Sequence, residues 1–259
     1  MYNVLNDLTG ISLYKDNSMN KNMLIIENEY KIPPEIIEWA EKHSVPLVTG
    51  TLNNFYDKGY SFLIEYSPEC SIDYLEISFC HAHDLPAVIG RTEQLIIREI
   101  GPEDCDIYRT LLRMNPEVLK DKTLAELSSE EFRSRHLSYI KYSYHFLGYG
   151  IWGIFLLPES ISDSDAGTVG QFENKPGEMI GIAGIDGTDS PELSYALFEK
   201  YQGKGYAYEA CSFILGYAGN ELNIKNISIF VKRSNIRSAA LAGRLKKEHP
   251  SLIIQEQLY

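Results

Sequence analysis

Hydrophobic and polar positions along the first ninety residues predict strands and helices in turn. Four short apolar runs predict strands: MLIIENE (23–29), VPLVTG (45–50), SFLIEY (61–66) and PAVIG (86–90). Amphipathic stretches predict helices after Pro33 and over residues 71–83. We therefore predict a small α/β module over residues 1–90, whose sequence does not indicate a role.

A second series of strands and helices begins near residue 94. Its strands are predicted at LIIREI (95–100), GIWGIFLL (150–157), EMIGIAGI (178–185), ELSYALF (192–198) and KNISIFV (225–231). Helices are predicted between them, and one begins with the capping-box pair Ser128 and Glu131. The segment 158–177 is rich in Ser, Asp and Gly and is predicted to be a mobile loop. Residues 91–259 are thus predicted to form a second, larger α/β domain.

Composition excludes several classes of function. The 259 residues contain 24 Lys plus Arg against 36 Asp plus Glu, a formal net charge of −12. A general nucleic-acid binder needs a basic footprint, so we expect no nucleic-acid partner. No apolar run approaches the roughly 20 residues of a membrane helix, and the N-terminus lacks a signal-peptide pattern. We expect a cytoplasmic protein without a membrane partner.

Cysteine and histidine positions do not predict a metal site. The four cysteines are scattered without a CxxC pair, which indicates reduced thiols rather than disulfides. His81 and His83 lie close in sequence, but on one helix they would point to different faces. We expect no structural metal.

The stretch Tyr201-Gln202-Gly203-Lys204-Gly205-Tyr206-Ala207 lies between a predicted strand and a predicted helix. The N–H groups that open a helix are unpaired and carry the positive end of its dipole, so this turn can bind phosphate oxygens. Glycines let the backbone approach an anion closely. An ordinary tight turn is the alternative interpretation, because two glycines before a helix are a weak signal.

With these residues the chain resembles the GNAT superfamily of acetyl-CoA-dependent N-acetyltransferases. The family's phosphate loop reads Q/R-x-x-G-x-G/A and is matched by Gln202, Gly205 and Ala207. The wider stretch ELSYALFEKYQGKGYAYEA resembles the branch of ribosomal-protein N-terminal (RimJ/RimL-like) acetyltransferases. The resemblance covers about residues 92–259. It implies the GNAT fold, a mixed and splayed central sheet flanked by helices, here preceded by the small N-terminal α/β module.

The resemblance also implies an acetyl-CoA site. The strand before the loop would offer backbone groups to the pantetheine arm at Tyr195, Leu197 and Phe198, with Leu197 as the expected donor. The loop would hold the pyrophosphate with Gln202, Gly203, Lys204, Gly205, Tyr206 and Ala207. Asn235 matches a family asparagine that contacts the cofactor, and it is also a good N-cap.

Charge in the C-terminal segment is consistent with such a site. Residues 225–247 carry seven basic side chains and no acidic ones: Lys225, Lys232, Arg233, Arg237, Arg244, Lys246 and Lys247. This patch can offset the charge of cofactor phosphates, and the alternative is a solvated helix face.

Two residues are the expected catalytic groups. Glu192 resembles the Glu of the family's E-L-G-Y stretch, and a carboxylate there can accept the proton of the attacking amine. The alternative is a carboxylate at the end of the strand that only faces solvent. The family often places a Tyr on the last helix as the acid, but here those positions are Ala242 and Gly243. Ser238 matches an N-x-x-S variant and is the candidate acid or thiolate-stabilising donor, although such a hydroxyl most often bonds local backbone.

The function that the resemblance implies is acetyl transfer from acetyl-CoA to a primary amine by direct attack in a ternary complex. The acceptor remains open among a protein N-terminus, a polyamine, an amino acid and an antibiotic, and the chain can be a monomer or a homodimer. Eight acidic residues between Glu159 and Glu192 would favour a cationic acceptor, and the alternative is a loop that is acidic merely for solubility. The alternative is a catalytically weak CoA-binding sensor or protein-interaction module, because the helix Tyr is missing and Lys246-Lys247 replace the usual G-F pair.

Overall fold

The computed structural model describes residues 3–8, 11–16, 21–26, 34–43, 45–49, 62–63, 72–116, 122–157 and 177–257. These residues belong to two compact units, one before Val88 and one from Val88 onward. The predicted loop over residues 158–177 lies outside the described residues except for Gly177.

The first unit contains a five-stranded sheet in the order β1-β2-β3-β4-β5. Its strands are β1 (Asn3–Leu8), β2 (Ile11–Asp16), β3 (Lys21–Ile26), β4 (Leu47–Thr49) and β5 (Phe62–Leu63), and its helices are α1 (Pro34–Lys42) and α2 (Ile72–Ala82). The first three strands are antiparallel, and β3, β4 and β5 are parallel neighbours. Strands β1 and β2 were not predicted, because NVLNDL and ISLYKD lack a continuous apolar run.

The second unit contains a seven-stranded mixed sheet in the order β12-β11-β10-β9-β8-β7-β6. Its strands are β6 (Val88–Arg91), β7 (Leu95–Arg98), β8 (Ile151–Leu156), β9 (Met179–Asp186), β10 (Glu192–Leu197), β11 (Ser228–Lys232) and β12 (Ile253–Gln257). Neighbours from β6 to β10 are antiparallel, whereas β10, β11 and β12 are parallel. The predicted mixed sheet is confirmed.

The strand predicted at 86–90 belongs to this second sheet rather than to the N-terminal module. Val88, Gly90 and Arg91 pair with β7, so the unit boundary falls at residue 87 instead of residue 90. Helices flank the sheet at α3 (Cys105–Met114), α4 (Ser129–Tyr139), α5 (Tyr206–Asn220) and α6 (Ile236–Glu248). A π-helix, Ile140–Leu147, continues α4.

Side chains of β10 alternate between two hydrophobic clusters, one on each face of the sheet. Leu193 and Leu197 pack with residues of α5 and α6, and Tyr195 packs against the same cluster. Ala196 belongs to the cluster that contains residues of α3 and α4. We call these the α5/α6 face and the α3/α4 face. The alternation places Glu192 on the α3/α4 face and Tyr195 on the α5/α6 face.

Helix α4 begins with the predicted capping box. The Ser128 hydroxyl accepts the N–H of Glu131 at 3.3 Å, and the Ser128 N–H donates to the Glu131 carboxylate at 3.0 Å. Further along the helix, His136 is buried, and its Nε2 lies 2.7 Å from the carbonyl oxygen of Ile100. This contact anchors α4 to the end of β7.

Candidate active site

Strands β10 and β11 separate soon after they meet. In the described residues 177–257 their only register pair is Glu192 with Ser228, and the Ser228 N–H donates to the carbonyl of Pro191 at 2.8 Å. Strand β10 nevertheless pairs with β9 along its whole length, from Glu192 to Leu197. The rest of β10 therefore has a free edge toward β11, as the predicted splay requires.

Hydrogen bonding shows which backbone groups lie on that edge. The Phe198 N–H donates to the carbonyl of Ile180 at 3.0 Å, so Phe198 and alternate residues before it face β9. By the same alternation Tyr195 and Leu197 face the gap. The Leu197 carbonyl accepts from Gln202 Nε2 at 3.1 Å, which leaves the Leu197 N–H on the open edge. Because the Phe198 N–H already donates to Ile180, we no longer expect it to donate to the pantetheine arm.

The predicted phosphate loop connects β10 to α5. A short 3₁₀ turn, Glu199–Tyr201, precedes it, and Gly203 and Gly205 adopt left-handed φ values of 75° and 92°. Gly205 is the N-cap of α5 and supplies no side-chain cap, so the first N–H groups of this helix keep their dipole end open to a ligand. The exposed backbone at Gln202, Gly203, Lys204 and Gly205 fits a pyrophosphate group.

Three cations lie in this loop or contact it or the first turn of α5. Arg237 Nη1 is 3.5 Å from Gln202 Oε1, and the Arg244 guanidinium lies 3.4 Å from the centre of the Tyr208 ring. Lys204 Nζ lies 5.5 Å from the centre of the Tyr201 ring. The rest of the predicted basic patch is partly used elsewhere, since Lys246 donates to the carbonyl of Pro250 and Arg233 pairs with Glu256.

Glu192 lies half-buried at the point where β10 and β11 part. Its cross-strand partner on β9 is Asp186, so two carboxylates lie opposite each other on the α3/α4 face. Asp186 Oδ1 accepts the N–H of Gly187 at 2.9 Å. Burial raises the pKa of Tyr149, and the nearby charge of Asp186 adds to that effect.

The described acidic residues between 177 and 192 lie at both ends of β9. Glu178 pairs with Lys200 at 2.7 Å and accepts a hydrogen bond from Tyr201, at the end of β9 opposite Asp186. Glu159, Asp163, Asp165 and Glu173 lie outside the described residues. The described acidic groups near Glu192 are Asp186 and Asp189.

The N-terminal turn of α6 faces β10 through a pair of hydroxyls. Asn235 caps the helix, because its Oδ1 accepts the Ser238 N–H at 3.0 Å. Ser238 is buried, and its Oγ accepts a hydrogen bond from the Tyr195 phenol at 2.9 Å. The sequence pattern predicts a role only for the backbone of Tyr195 and contains no signal for this side-chain contact. Ala242 is buried, and neither it nor Gly243 can replace the missing helix Tyr.

Tyr139, Tyr144 and Tyr149 each form a hydrogen bond with a backbone group. Tyr144 is buried and donates to the carbonyl of Ile151, and Tyr139 accepts the N–H of Ile151 at 2.7 Å. Tyr149 donates to the carbonyl of Gly187 at 3.2 Å. Of these three tyrosines, Tyr149 is the one whose bonded residue, Gly187, directly follows Asp186.

The described residues contain no cluster of His, Cys, Asp and Glu that could hold a metal ion. Cys80, Cys105 and Cys211 are free thiols, and Cys70 lies outside the described residues. None of the described helices is both long enough and apolar enough to cross a membrane.

The splayed strand β10 and the glycine loop lie within the part of the chain that a protein-family model matches. The family model described as "Acetyltransferase (GNAT) domain" matches residues 94–246. The chain belongs to the GNAT acetyltransferase family. GNAT enzymes use acetyl-CoA. The open edge of β10 and the uncapped start of α5 are two features that fit this cofactor.

Three solved acetyltransferases are similar to this GNAT chain. An acetyltransferase from Agrobacterium tumefaciens is 26% identical over 60% of this chain and 81% of its own, with a TM-score of 0.43. The ribosomal α-N-protein acetyltransferase RimL in complex with coenzyme A is 17% identical over 61% and 82%, with a TM-score of 0.46. A spermidine N-acetyltransferase SpeG chimera from Vibrio cholerae and hSSAT is 16% identical over 59% and 80%, with a TM-score of 0.43. Similarity at this level does not identify an acceptor.

Proposed function

We propose that the protein transfers the acetyl group of acetyl-CoA to a primary amine by direct attack in a ternary complex, without a covalent enzyme intermediate. The observation that carries this proposal is the geometry of β10. Its free edge begins just after Glu192, whose carboxylate lies on the α3/α4 face, and ends at the glycine loop. Glu192 and Leu197 are about 16 Å apart along a strand of this length, so an extended ligand can contact the loop and still reach the carboxylate.

The acetyl donor, acetyl-CoA, would be held by backbone groups and cations. The N–H groups of Tyr195 and Leu197 are proposed to bind the pantetheine arm, because they face the gap between β10 and β11. The loop from Gln202 to Ala207 is proposed to bind the pyrophosphate. Arg237, which contacts Gln202, and Arg244, which contacts Tyr208 of α5, are proposed to offset the phosphate charge. The Asn235 amide nitrogen is proposed to contact acetyl-CoA while its Oδ1 caps α6.

Proton transfer is assigned to Glu192 and Ser238. An amine attacks a thioester only when its nitrogen is neutral, so a base must remove a proton directly or through a water molecule. Glu192 is proposed as that base because it is a half-buried carboxylate where the two strands part. Ser238 is proposed as the hydrogen-bond donor to the leaving sulfur, because its buried hydroxyl lies at the start of α6.

The acceptor is proposed to be a cationic primary amine, either a polyamine or the N-terminus of a basic peptide. Support comes from the cross-strand carboxylates Asp186 and Glu192, which lower the electrostatic potential where β10 begins. The resemblance to ribosomal-protein acetyltransferases favours the peptide, and the charge alone does not distinguish it from a polyamine.

A catalytically weak CoA-binding sensor or protein-interaction module is the second candidate. One observation favours it: the position where the family often carries a Tyr is the buried Ala242. A sensor of this kind would bind acetyl-CoA but would acetylate no amine.

The roles are tested with the variant Glu192→Gln. It should retain acetyl-CoA binding and lose most of its acetyl-transfer rate at pH values where the amine is protonated, because the amide cannot accept the proton. The loss should shrink as the pH approaches the pKa of the amine. Glu221→Gln is the matched control, since Glu221 is exposed at the far end of α5. Equal rates for the parent and Glu192→Gln across this pH range would remove Glu192 from the mechanism.

A further inference from the structure

A side-chain hydrogen bond joins Tyr195 of β10 to Ser238 of α6. We propose that Tyr195 is a positioning residue for Ser238, and that the two hydroxyls together stabilise the thiolate that leaves acetyl-CoA. The proposal rests on the function proposed above. It assigns a role to a phenol that the sequence pattern did not single out.

The geometry orients Ser238 from two sides. Its N–H is fixed by Asn235 Oδ1 at 3.0 Å, which sets the start of α6. Its Oγ accepts the Tyr195 hydroxyl at 2.9 Å, which comes from the strand on the other side of the gap. Both side chains are largely shielded from solvent on the α5/α6 face. Ser238 is therefore held in one orientation next to the free edge of β10.

The direction of this hydrogen bond determines what Ser238 can do. A hydroxyl donates one hydrogen and accepts at two lone pairs. Because the Tyr195 phenol donates into Ser238 Oγ, the hydrogen of Ser238 itself is available to another acceptor. Burial raises the pKa of Tyr195 above its usual range, so the phenol stays protonated at neutral pH and keeps donating. A serine that receives such a hydrogen bond is a stronger donor, because chains of hydrogen bonds polarise one another.

The bonds formed and broken in acetyl transfer balance without the loss of a proton from Tyr195. The amine nitrogen forms a bond to the acetyl carbon, the carbon–sulfur bond breaks, and its electron pair stays on sulfur. Ser238 donates a hydrogen bond to that sulfur, with Tyr195 behind it. The proton that the sulfur finally takes up is matched by the proton that the amine gives to Glu192. In this way β10 supplies the phenol that α6 lacks.

The test measures the thiol pKa of bound CoA from the ultraviolet absorbance of its thiolate as the pH is raised. Tyr195→Phe and Ser238→Ala should each raise this pKa relative to the parent, and the double variant should raise it no further than Ser238→Ala does. Ser238→Thr, which keeps the hydroxyl, should restore part of the effect. Tyr217→Phe is the control, because Tyr217 packs edge-on against Trp152 in the core.

Two further readouts separate positioning from folding. Tyr195→Phe should lower kcat about three- to tenfold, the scale of one hydrogen bond, with an unchanged KM for acetyl-CoA. Its affinity for desulfo-CoA should match that of the parent, because that ligand has no sulfur to stabilise. A thiol pKa that Tyr195→Phe leaves unchanged, additive effects in the double variant, or an equal loss of desulfo-CoA binding would overturn the inference. Because the thiol titration needs no acetyl transfer, a parent that binds CoA but acetylates no amine would refute the proposed function alone.

Discussion

Replacing Gly205 separates the contribution of backbone shape from that of charge in the phosphate loop. Gly205 has a φ of 92°, and an added Cβ would meet nothing within 4 Å, so the cost of a side chain there is conformational rather than steric. A left-handed conformation costs an ordinary L-residue about 1–2 kcal/mol. Gly205→Asn and Gly205→Asp both tolerate this conformation better than other residues and have nearly equal size. They differ in the negative charge at the N-terminus of α5.

The expected effect on binding follows from mass action. A ligand that binds only the folded state adds about 2.7 kcal/mol of stability at 100 times its dissociation constant. For a chain of this size, each kcal/mol shifts the melting temperature by roughly 2–4 °C, so saturating acetyl-CoA should raise it by roughly 5–11 °C. Gly205→Asp should abolish this rise, because its carboxylate would repel the pyrophosphate in the site. Gly205→Asn should keep part of it.

Thermal unfolding with and without acetyl-CoA measures this difference. The three proteins are compared at equal concentration, and each is referred to its own melting temperature without ligand, which removes the intrinsic cost of the substitution. A parent whose melting temperature does not respond to saturating acetyl-CoA would refute the assignment of the loop. So would a Gly205→Asp variant that keeps the full rise.

Two other predictions address stability and the acceptor. Burial lowers the pKa of His136 below the 6.5 of an ordinary histidine, so the unfolded chain binds a proton that the folded chain excludes. Stability should therefore decrease as the pH falls through 6.5. His136→Gln should show a shallower decrease in urea-unfolding free energy over this range, and parallel curves would disprove the assignment. A polyamine or basic peptide should be preferred over a neutral amino acid, with a KM that rises with ionic strength because salt screens Asp186 and Glu192. A preferred anionic acceptor, or a salt-independent KM, would contradict this.

Features set by neighbouring residues could be predicted from the sequence. The glycines at 203 and 205 lie in the predicted turn, Asn235 caps α6, and Ser128 with Glu131 forms the capping box. Each depends on groups only a few positions apart, so a local pattern contains the information.

Features that depend on pairing across the sheet could not be predicted. Glu178 and Glu192 are close in sequence, but they lie at opposite ends of the β9–β10 pair. The Tyr195 phenol meets Ser238 only because β10 and α6 lie on either side of the gap. The boundary at residue 87 likewise follows from the pairing of β6 with β7 rather than from any break in the sequence pattern.

The measurement that tests the central claim most directly is amine-dependent release of CoA from acetyl-CoA. The purified protein is incubated with a panel of polyamines, basic and neutral peptides with free N-termini, and amino acids, and each product is identified by mass spectrometry. We predict that at least one cationic primary amine is acetylated, and that Gly205→Asp abolishes this turnover. A protein that binds acetyl-CoA, as judged by its melting temperature, but acetylates none of these amines would contradict the account and favour the sensor.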